Sequence, residues 1–300
     1  MSKSHTLQSL IADIIRVFHL WPFIAQTGIY NFFRHKKHPE TLLYLDVVIT
    51  ECCTLKCRDC SNLMQYYHHP ENLNVDETIS SLRILLKSFK VNRLNLLGGE
   101  PFVCQENLAQ ILVFLNQEAN DRVNEICIIT NGTLIPSDKC FAAIKKNKKV
   151  TVVFSNYGEL SSKQSEFSVL LKSNGIKYEI MEEDYWWDCG NLKPRDERES
   201  IIQHRYDACY TRRHCTTLFR GKLYVCPRQA HAVRLRVIPE NDMEMVDILK
   251  MDQDDAVSIQ TAVYRLLDRK ERIAMCRLCG CNPDNKIPRA VQAERPIDDV

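Results

Sequence analysis

From residue 43 to residue 181 the chain alternates short, strongly apolar runs with stretches in which apolar residues recur every three to four positions. The pattern predicts strands at 43–50, 93–97, 125–130, 150–155 and 177–181, with helices at 75–89, 106–118, 137–146 and 161–173. In the first helix Ile79, Leu82, Leu85 and Leu86 fall on one face. Strand, helix, strand with short connections is the mark of a parallel sheet covered by helices. Five such units are too few for a closed eight-unit barrel, so the expected α/β fold is a partial (β/α) barrel.

The strand ends carry the polar and small residues. They read as a cysteine loop, then Gly98-Gly99-Glu100-Pro101, Thr130-Asn131-Gly132 and Ser155-Asn156-Tyr157-Gly158. In parallel βα architectures ligands bind at the C-terminal ends of the strands, so these groups are expected on one rim. After about residue 185 the rhythm breaks. Trp186, Trp187, Asp188, Arg195 and Arg198 lie in a polar and aromatic bridge and are candidate substrate contacts; packing between domains explains the tryptophans equally well. Residues 216–225 read as a β-hairpin about Arg220-Gly221, and residues 257–272 as an amphipathic helix with Val263, Leu266 and Leu267 inward.

Cysteine usage changes the picture most. The first strand runs into Cys53-Thr54-Leu55-Lys56-Cys57-Arg58-Asp59-Cys60, three thiols separated by three and then two residues. Three cysteines this close can hold three corners of a cubane iron–sulfur cluster and leave the fourth iron open. A structural zinc is the competing use, with Cys57 and Cys60 as one pair and Cys276 and Cys279 as the other. Cys52 adjoins Cys53, so spacing alone leaves the ligand register open. A second set, Cys209, Cys215 and Cys226 around the hairpin and Cys276, Cys279 and Cys281 downstream, exceeds the four thiols one further cubane needs. Cys104, Cys127 and Cys140 fall in core elements, and Cys189 in the bridge, as a pocket residue or a reactive thiol.

The triplet after a first strand, with Gly98-Gly99-Glu100-Pro101 about forty residues on at the end of the second, resembles the radical S-adenosylmethionine (SAM) superfamily. The resemblance implies that Cys53, Cys57 and Cys60 hold a [4Fe–4S] cluster whose open iron takes SAM. It implies that Gly98, Gly99 and Glu100 receive the SAM amino group, and that Thr130, Asn131, Ser155 and Asn156 serve its ribose; plain turn chemistry at a strand end explains Asn131 equally well. The implied reaction is reductive cleavage of SAM to a 5′-deoxyadenosyl radical that abstracts hydrogen from a substrate C–H bond. The chain departs from the family at Asp59, where an aromatic residue is usual. The second cysteine set resembles the SPASM/twitch auxiliary domain and implies one auxiliary [4Fe–4S] cluster on Cys209 or Cys215, Cys226, Cys276 and Cys279, with Cys281 as a substitute. That division gives an N-terminal helical extension at 1–40, the partial barrel at 41–190 and the auxiliary domain at 191–300.

Bulk properties narrow the partners. Hydrophobic content of 45% and charged content of 26% are those of an ordinary globular protein, and a net charge of +2 gives no reason to expect nucleic acid. The basic run Lys145-Lys146-Asn147-Lys148-Lys149 reads as a solvated turn. The apolar segment 10–33 is broken by Asp13, Arg16 and His19, a poor membrane span, and no cleavable signal precedes it. A reducing cytoplasm is the expected setting, in which metal ligation rather than disulfide formation is the favoured use of the fourteen cysteines. The expected partners are SAM, an electron donor such as flavodoxin or ferredoxin, and a small-molecule, glycan-like or peptide substrate. A non-catalytic zinc or iron–sulfur scaffold would keep the cysteines but has no use for Gly98-Gly99-Glu100 beside two polar strand ends.

Overall fold

The computed structural model describes residues 40–293 apart from 183, 282 and 283. The expected N-terminal helical extension lies outside the described residues. The described residues fall in one compact unit.

Five parallel strands carry the fold: β1 (Thr41–Thr50), β2 (Lys90–Gly98), β3 (Val123–Thr130), β4 (Val150–Ser155) and β5 (Lys177–Met181). They lie in sequence order, and each pair of neighbours is joined through a helix: α1 (Val75–Ser88), α2 (Gln105–Gln117), α3 (Asp138–Lys146) and α4 (Gln164–Ser173). This is the expected α/β partial-barrel arrangement. The helices start where side chains satisfy free backbone N–H groups: Asn74 accepts from Asp76 and Glu77, and Ser137 accepts from Cys140. Their inward stripes, such as Leu82, Leu85 and Leu86 on α1 and Leu108, Ile111, Leu112 and Leu115 on α2, close one continuous core with the strands. Phe167 of α4 meets both Phe102 and Phe154 edge to face, at 5.4 and 5.5 Å between ring centroids.

The sheet does not stop at β1. Its free edge takes up β7 (Thr217–Phe219) in parallel, with Asp46 opposite Thr217 and Val47 opposite Leu218. The expected hairpin then turns at Arg220-Gly221, both at positive φ, into β8 (Lys222–Tyr224). β9 (Met245–Asp247) adds an antiparallel edge that the sequence reading missed. The order is therefore β5-β4-β3-β2-β1-β7-β8-β9 in an eight-stranded sheet. The bridge contributes β6 (Tyr185–Trp187), paired antiparallel with β10 (Lys286–Pro288).

Three short helices were also not expected: α5 (Glu199–Ala208), α6 (Tyr210–His214) and α7 (Pro227–Arg234). The last helix, α8 (Ala256–Leu267), stops short of the expected residue 272. Residues beyond it are drawn off by α5: Gln203 donates to the Lys270 carbonyl at 2.9 Å and accepts from the Arg272 N–H at 3.0 Å. Among the described residues no helix is long and apolar enough to cross a membrane.

Candidate functional site

The site begins where β1 ends. Gly98 and Gly99 lie against the backbone there: a Cβ on Gly98 would sit 2.3 Å from the Thr50 carbonyl oxygen, and one on Gly99 2.2 Å from that of Cys52. Both glycines are needed for contact between two protein segments. Gly99 N–H donates to Thr50 O at 3.0 Å and Glu100 N–H to Cys52 O at 2.8 Å, so the glycine motif and the cysteine loop form one hydrogen-bonded rim.

Glu100 is fully buried, and its carboxylate accepts from Phe102 N (3.1 Å), the Thr130 hydroxyl (2.9 Å) and Asn131 N (2.8 Å). It braces the ends of β2 and β3, and burial raises its pKa to about 7. With four lone-pair positions on a carboxylate, about one remains for a further donor. Thr130 is committed likewise, accepting from Gly132 N at 3.1 Å. Asn131 reaches the cysteine loop: its Nδ2 donates to the Thr54 hydroxyl at 3.0 Å and lies 3.7 Å from Cys53 Sγ. Just past β4, Asn156 accepts from Gly158 N (2.9 Å), closing a turn, and donates to Glu182 (2.7 Å), while the Ser155 side chain lies beside the Tyr157 hydroxyl. Tyr157 lies within electrostatic reach of Cys53, Cys57 and Cys60, a neighbour the sequence reading did not single out.

The four thiols of the loop differ in their surroundings. Cys53, Cys57 and Cys60 act on one another electrostatically, whereas the Cys52 thiol turns to the Pro70 carbonyl at 3.5 Å. Burial pushes the Cys53 thiol up to about 12 and Cys57 to about 11, and raises Cys60. Such thiols stay protonated unless a metal cation supplies the opposing charge. Nitrogen donors already point at the sulfurs: Leu55 N to Cys53 at 3.5 Å, and Gln292 Nε2 to Cys57 at 3.3 Å. Gln292 belongs to a strap in which Arg58 N donates to Val291 O (2.7 Å) and Ala293 N to Lys56 O (2.6 Å). Buried and half-buried thiols, two of them with N–H donors on their sulfurs, suit thiolate-bound iron, so the donor set fits the implied cluster. Among the described residues no group of three or more His, Cys, Asp or Glu side chains is itself arranged around a metal position.

Glu51 fastens this loop. It is 1% exposed, and its Oε1 takes Arg220 of the hairpin (Nη2 at 2.8 Å) and Arg234 of α7 (Nε at 3.0 Å), while Oε2 accepts from Glu71 N at 3.1 Å. Nothing in the local spacing marks it, because its partners lie 169 and 183 residues away.

Among the described residues the second cysteine set shares one neighbourhood without being arranged around a metal position. Cys226, at the head of α7, is within electrostatic reach of Cys209, Cys215, Cys276 and Cys279, and burial raises all five thiols. Cys215 also bonds to Asp46 of β1, a carboxyl that burial raises to about 6. Cys189 joins the same neighbourhood. Gly280 N donates to the Cys189 carbonyl at 3.0 Å, and the Cys281 thiol donates to the Cys189 sulfur, lowering the pKa of Cys189 and raising that of Cys281. Of the candidate substrate contacts, Trp186 stacks edge to face on Tyr157 at 5.6 Å, near the first thiols. Trp187 instead packs on Tyr210 at 6.0 Å. Asp188 accepts from Gly190 N and from Asn285, and Arg195 pairs with Glu197, so both serve the bridge itself.

The fold is of parallel α/β type, with the glycine motif and the first cysteine loop hydrogen-bonded together at the C-terminal ends of its strands. Residues 47–155 match the family described as the Radical SAM superfamily. Over 90 residues the chain is 36% identical to an S-adenosylmethionine-dependent nucleotide dehydratase of Fibrobacter sp. (strain UWH6), covering 28% of this chain and 26% of that protein. Over 119 residues it is 30% identical to a GTP 3',8-cyclase of Syntrophomonas wolfei, covering 38% and 32% respectively. The chain thus spans about a quarter to a third of the length of these relatives. A solved structure described as native anSMEcpe with bound AdoMet superposes with a TM-score of 0.50 at 13% identity, covering 80% of this chain and 89% of that one. At that identity the likeness is one of fold.

Proposed function

We propose that the protein is a radical SAM enzyme in which Cys53, Cys57 and Cys60 hold a [4Fe–4S] cluster and leave one iron for the amino and carboxylate groups of SAM. The observation that carries this reading is the rim: the Gly98-Gly99-Glu100 backbone is hydrogen-bonded to the cysteine loop, inside the stretch that matches the family. When bound, the cluster supplies the electron that cleaves SAM to a 5′-deoxyadenosyl radical, which abstracts hydrogen from a substrate C–H bond. The chain's own residues position these groups. Gly98 and Gly99 keep the motif pressed on the loop, and Glu100 locks β2 to β3, with one acceptor position left for an amine. Asn131, Ser155 and Asn156 flank the SAM position, and Thr130 acts through Glu100.

The second set forms a SPASM/twitch-like auxiliary site for a further [4Fe–4S] cluster, drawn from Cys209, Cys215, Cys226, Cys276 and Cys279 with Cys281 as a substitute. In this division residues 41–190 are the catalytic barrel and 191–300 the auxiliary part. The substrate is a small-molecule or glycan-like compound, or a peptide, that is oxidised or otherwise modified, and flavodoxin or ferredoxin supplies electrons in the cytoplasm.

The test is anaerobic reconstitution, iron and sulfide analysis, and 5′-deoxyadenosine formation with SAM and dithionite. About eight irons per chain with SAM cleavage is the expected result. Cys57→Ala is expected to abolish 5′-deoxyadenosine, and its persistence would overturn the assignment. Tightly held zinc without iron or SAM cleavage would leave a metal scaffold in its place.

A further inference from the structure

Arg228 is a buried cation. It is the second residue of α7, two positions after Cys226, and is 4% exposed. Its Nη2 donates to the carbonyl oxygens of Gly190 at 3.1 Å and Asn191 at 3.5 Å. Its Nε is buried with no hydrogen-bond partner, and no carboxylate pairs with it among the described residues. A guanidinium desolvated this far, with an N–H to spare, calls for an anionic partner. The groups around it are thiols from both cysteine sets. Its charge acts on Cys60 of the first, on Cys279 of the second and on Cys189 of the bridge beside them. The two carbonyls it binds immediately follow Cys189, in the loop that Gly280 ties to the second set.

We propose that Arg228 is the shared counter-ion of the two metal centres, its Nε–H donating to a cluster-borne sulfur and its charge stabilising the reduced state of both. The inference rests on the reading that each cysteine set holds an iron–sulfur cluster. Reduction adds one negative charge to a cluster, and a buried cation opposes that charge with little screening. Arg228 is therefore a positioning and tuning residue.

The experiment is an EPR-monitored redox titration of anaerobically reconstituted wild-type, Arg228→Gln and Arg228→Lys proteins. In Arg228→Gln the ratio of reduced to oxidised cluster at a fixed potential is expected to fall about tenfold at both centres, a shift of about 59 mV for a one-electron couple. Arg228→Lys keeps the charge and is expected to stay within about threefold of wild type. Unchanged potentials at either centre in Arg228→Gln with both clusters present overturn the proposal. Should that variant fail to fold, wild-type protein labelled with 15N-arginine gives the answer. A 15N hyperfine coupling at a reduced cluster supports the proposal, and none at either overturns it. Wild-type protein that takes up no cluster refutes the functional reading itself, and the inference with it.

Discussion

Replacing Glu51 by alanine removes the acceptor that fastens the end of β1 to the hairpin and to α7. Four hydrogen bonds are lost: Arg220 Nε at 3.1 Å and Nη2 at 2.8 Å, Arg234 Nε at 3.0 Å, and Glu71 N at 3.1 Å. Bonds to a charged group contribute roughly 1.5–3 kcal/mol each, which sums to about 6–12 kcal/mol before the donors find other partners. They do find some. The side chains of Arg220 and Arg234 are 35% and 33% exposed, and both retain Glu71, so water and that carboxylate recover much of the loss. The expected net cost is about 3–5 kcal/mol, the range for breaking one side of a buried pair. At about 2–4 °C per kcal/mol, Tm falls by at least ~6 °C.

The assay is urea denaturation of the metal-free protein at low and high salt, with iron content after reconstitution as a second readout. The Glu51 carboxyl is fully buried, so the cost should hardly differ between about 0.05 and 0.5 M salt. Because Glu51 directly precedes Cys52 and Cys53, iron uptake should drop as well. A cost under about 1 kcal/mol, or one that vanishes at high salt, would show that the carboxylate behaves as a surface partner, and the reasoning would be refuted.

Gly99→Ala places a Cβ 2.2 Å from the Cys52 carbonyl oxygen and 2.8 Å from the Cys53 Cβ, so the loop must shift; SAM affinity and iron content within twofold of wild type would contradict this. His231 is fully buried against Tyr67 with its pKa lowered to about 3 by burial, so below pH 6.5 the unfolded chain binds the extra proton and the fold does not. Stability should therefore fall by about 1.4 kcal/mol per unit from pH 6.5 down towards the folded value, and His231→Gln should remove that slope in acid denaturation curves. Gln292→Leu deletes the 3.3 Å donor to Cys57, and the potential of the first cluster should drop by about 40 mV, one hydrogen bond's worth; an unshifted potential would mean the amide does not reach the bound cluster.

The five parallel strands and four helices were legible because each is long enough to show its own period, and because strand ends attract glycine and small polar residues. Of the later elements the β7–β8 hairpin and α8 were legible, but others were not, for two reasons. β6, β9 and β10 are three residues each and exist by pairing with distant partners. Helix α5 buries little more than Ile202 and Tyr206, too few apolar positions to mark a face. At the site, the triplet and the glycine motif announced themselves by spacing, but the work of Glu100 did not. As a sequence it reads as an amine ligand; folded, it spends most of its acceptors on Phe102, Thr130 and Asn131. Gln292 and Arg228 were invisible for a simpler reason: their meaning lies in contacts 235 and 38 residues away.

Those long-range contacts explain why the two cysteine sets belong to one mechanical unit. Strand β1 delivers Cys53 at its end, pairs with β7 along its edge, and presents Asp46 to Cys215 from its middle. Glu51 then binds Arg220 at the hairpin tip and Arg234 on the helix that Cys226 begins. The spacing between the sites is therefore set by one sheet and one buried ion-pair network rather than by a linker. A substitution at the hairpin should accordingly be felt in the first cysteine loop. Arg220→Met, far from the first thiol set in sequence, should weaken iron retention at the first site along with the second, as iron analysis after gel filtration would read; full retention at the first site would show that the network does not couple them.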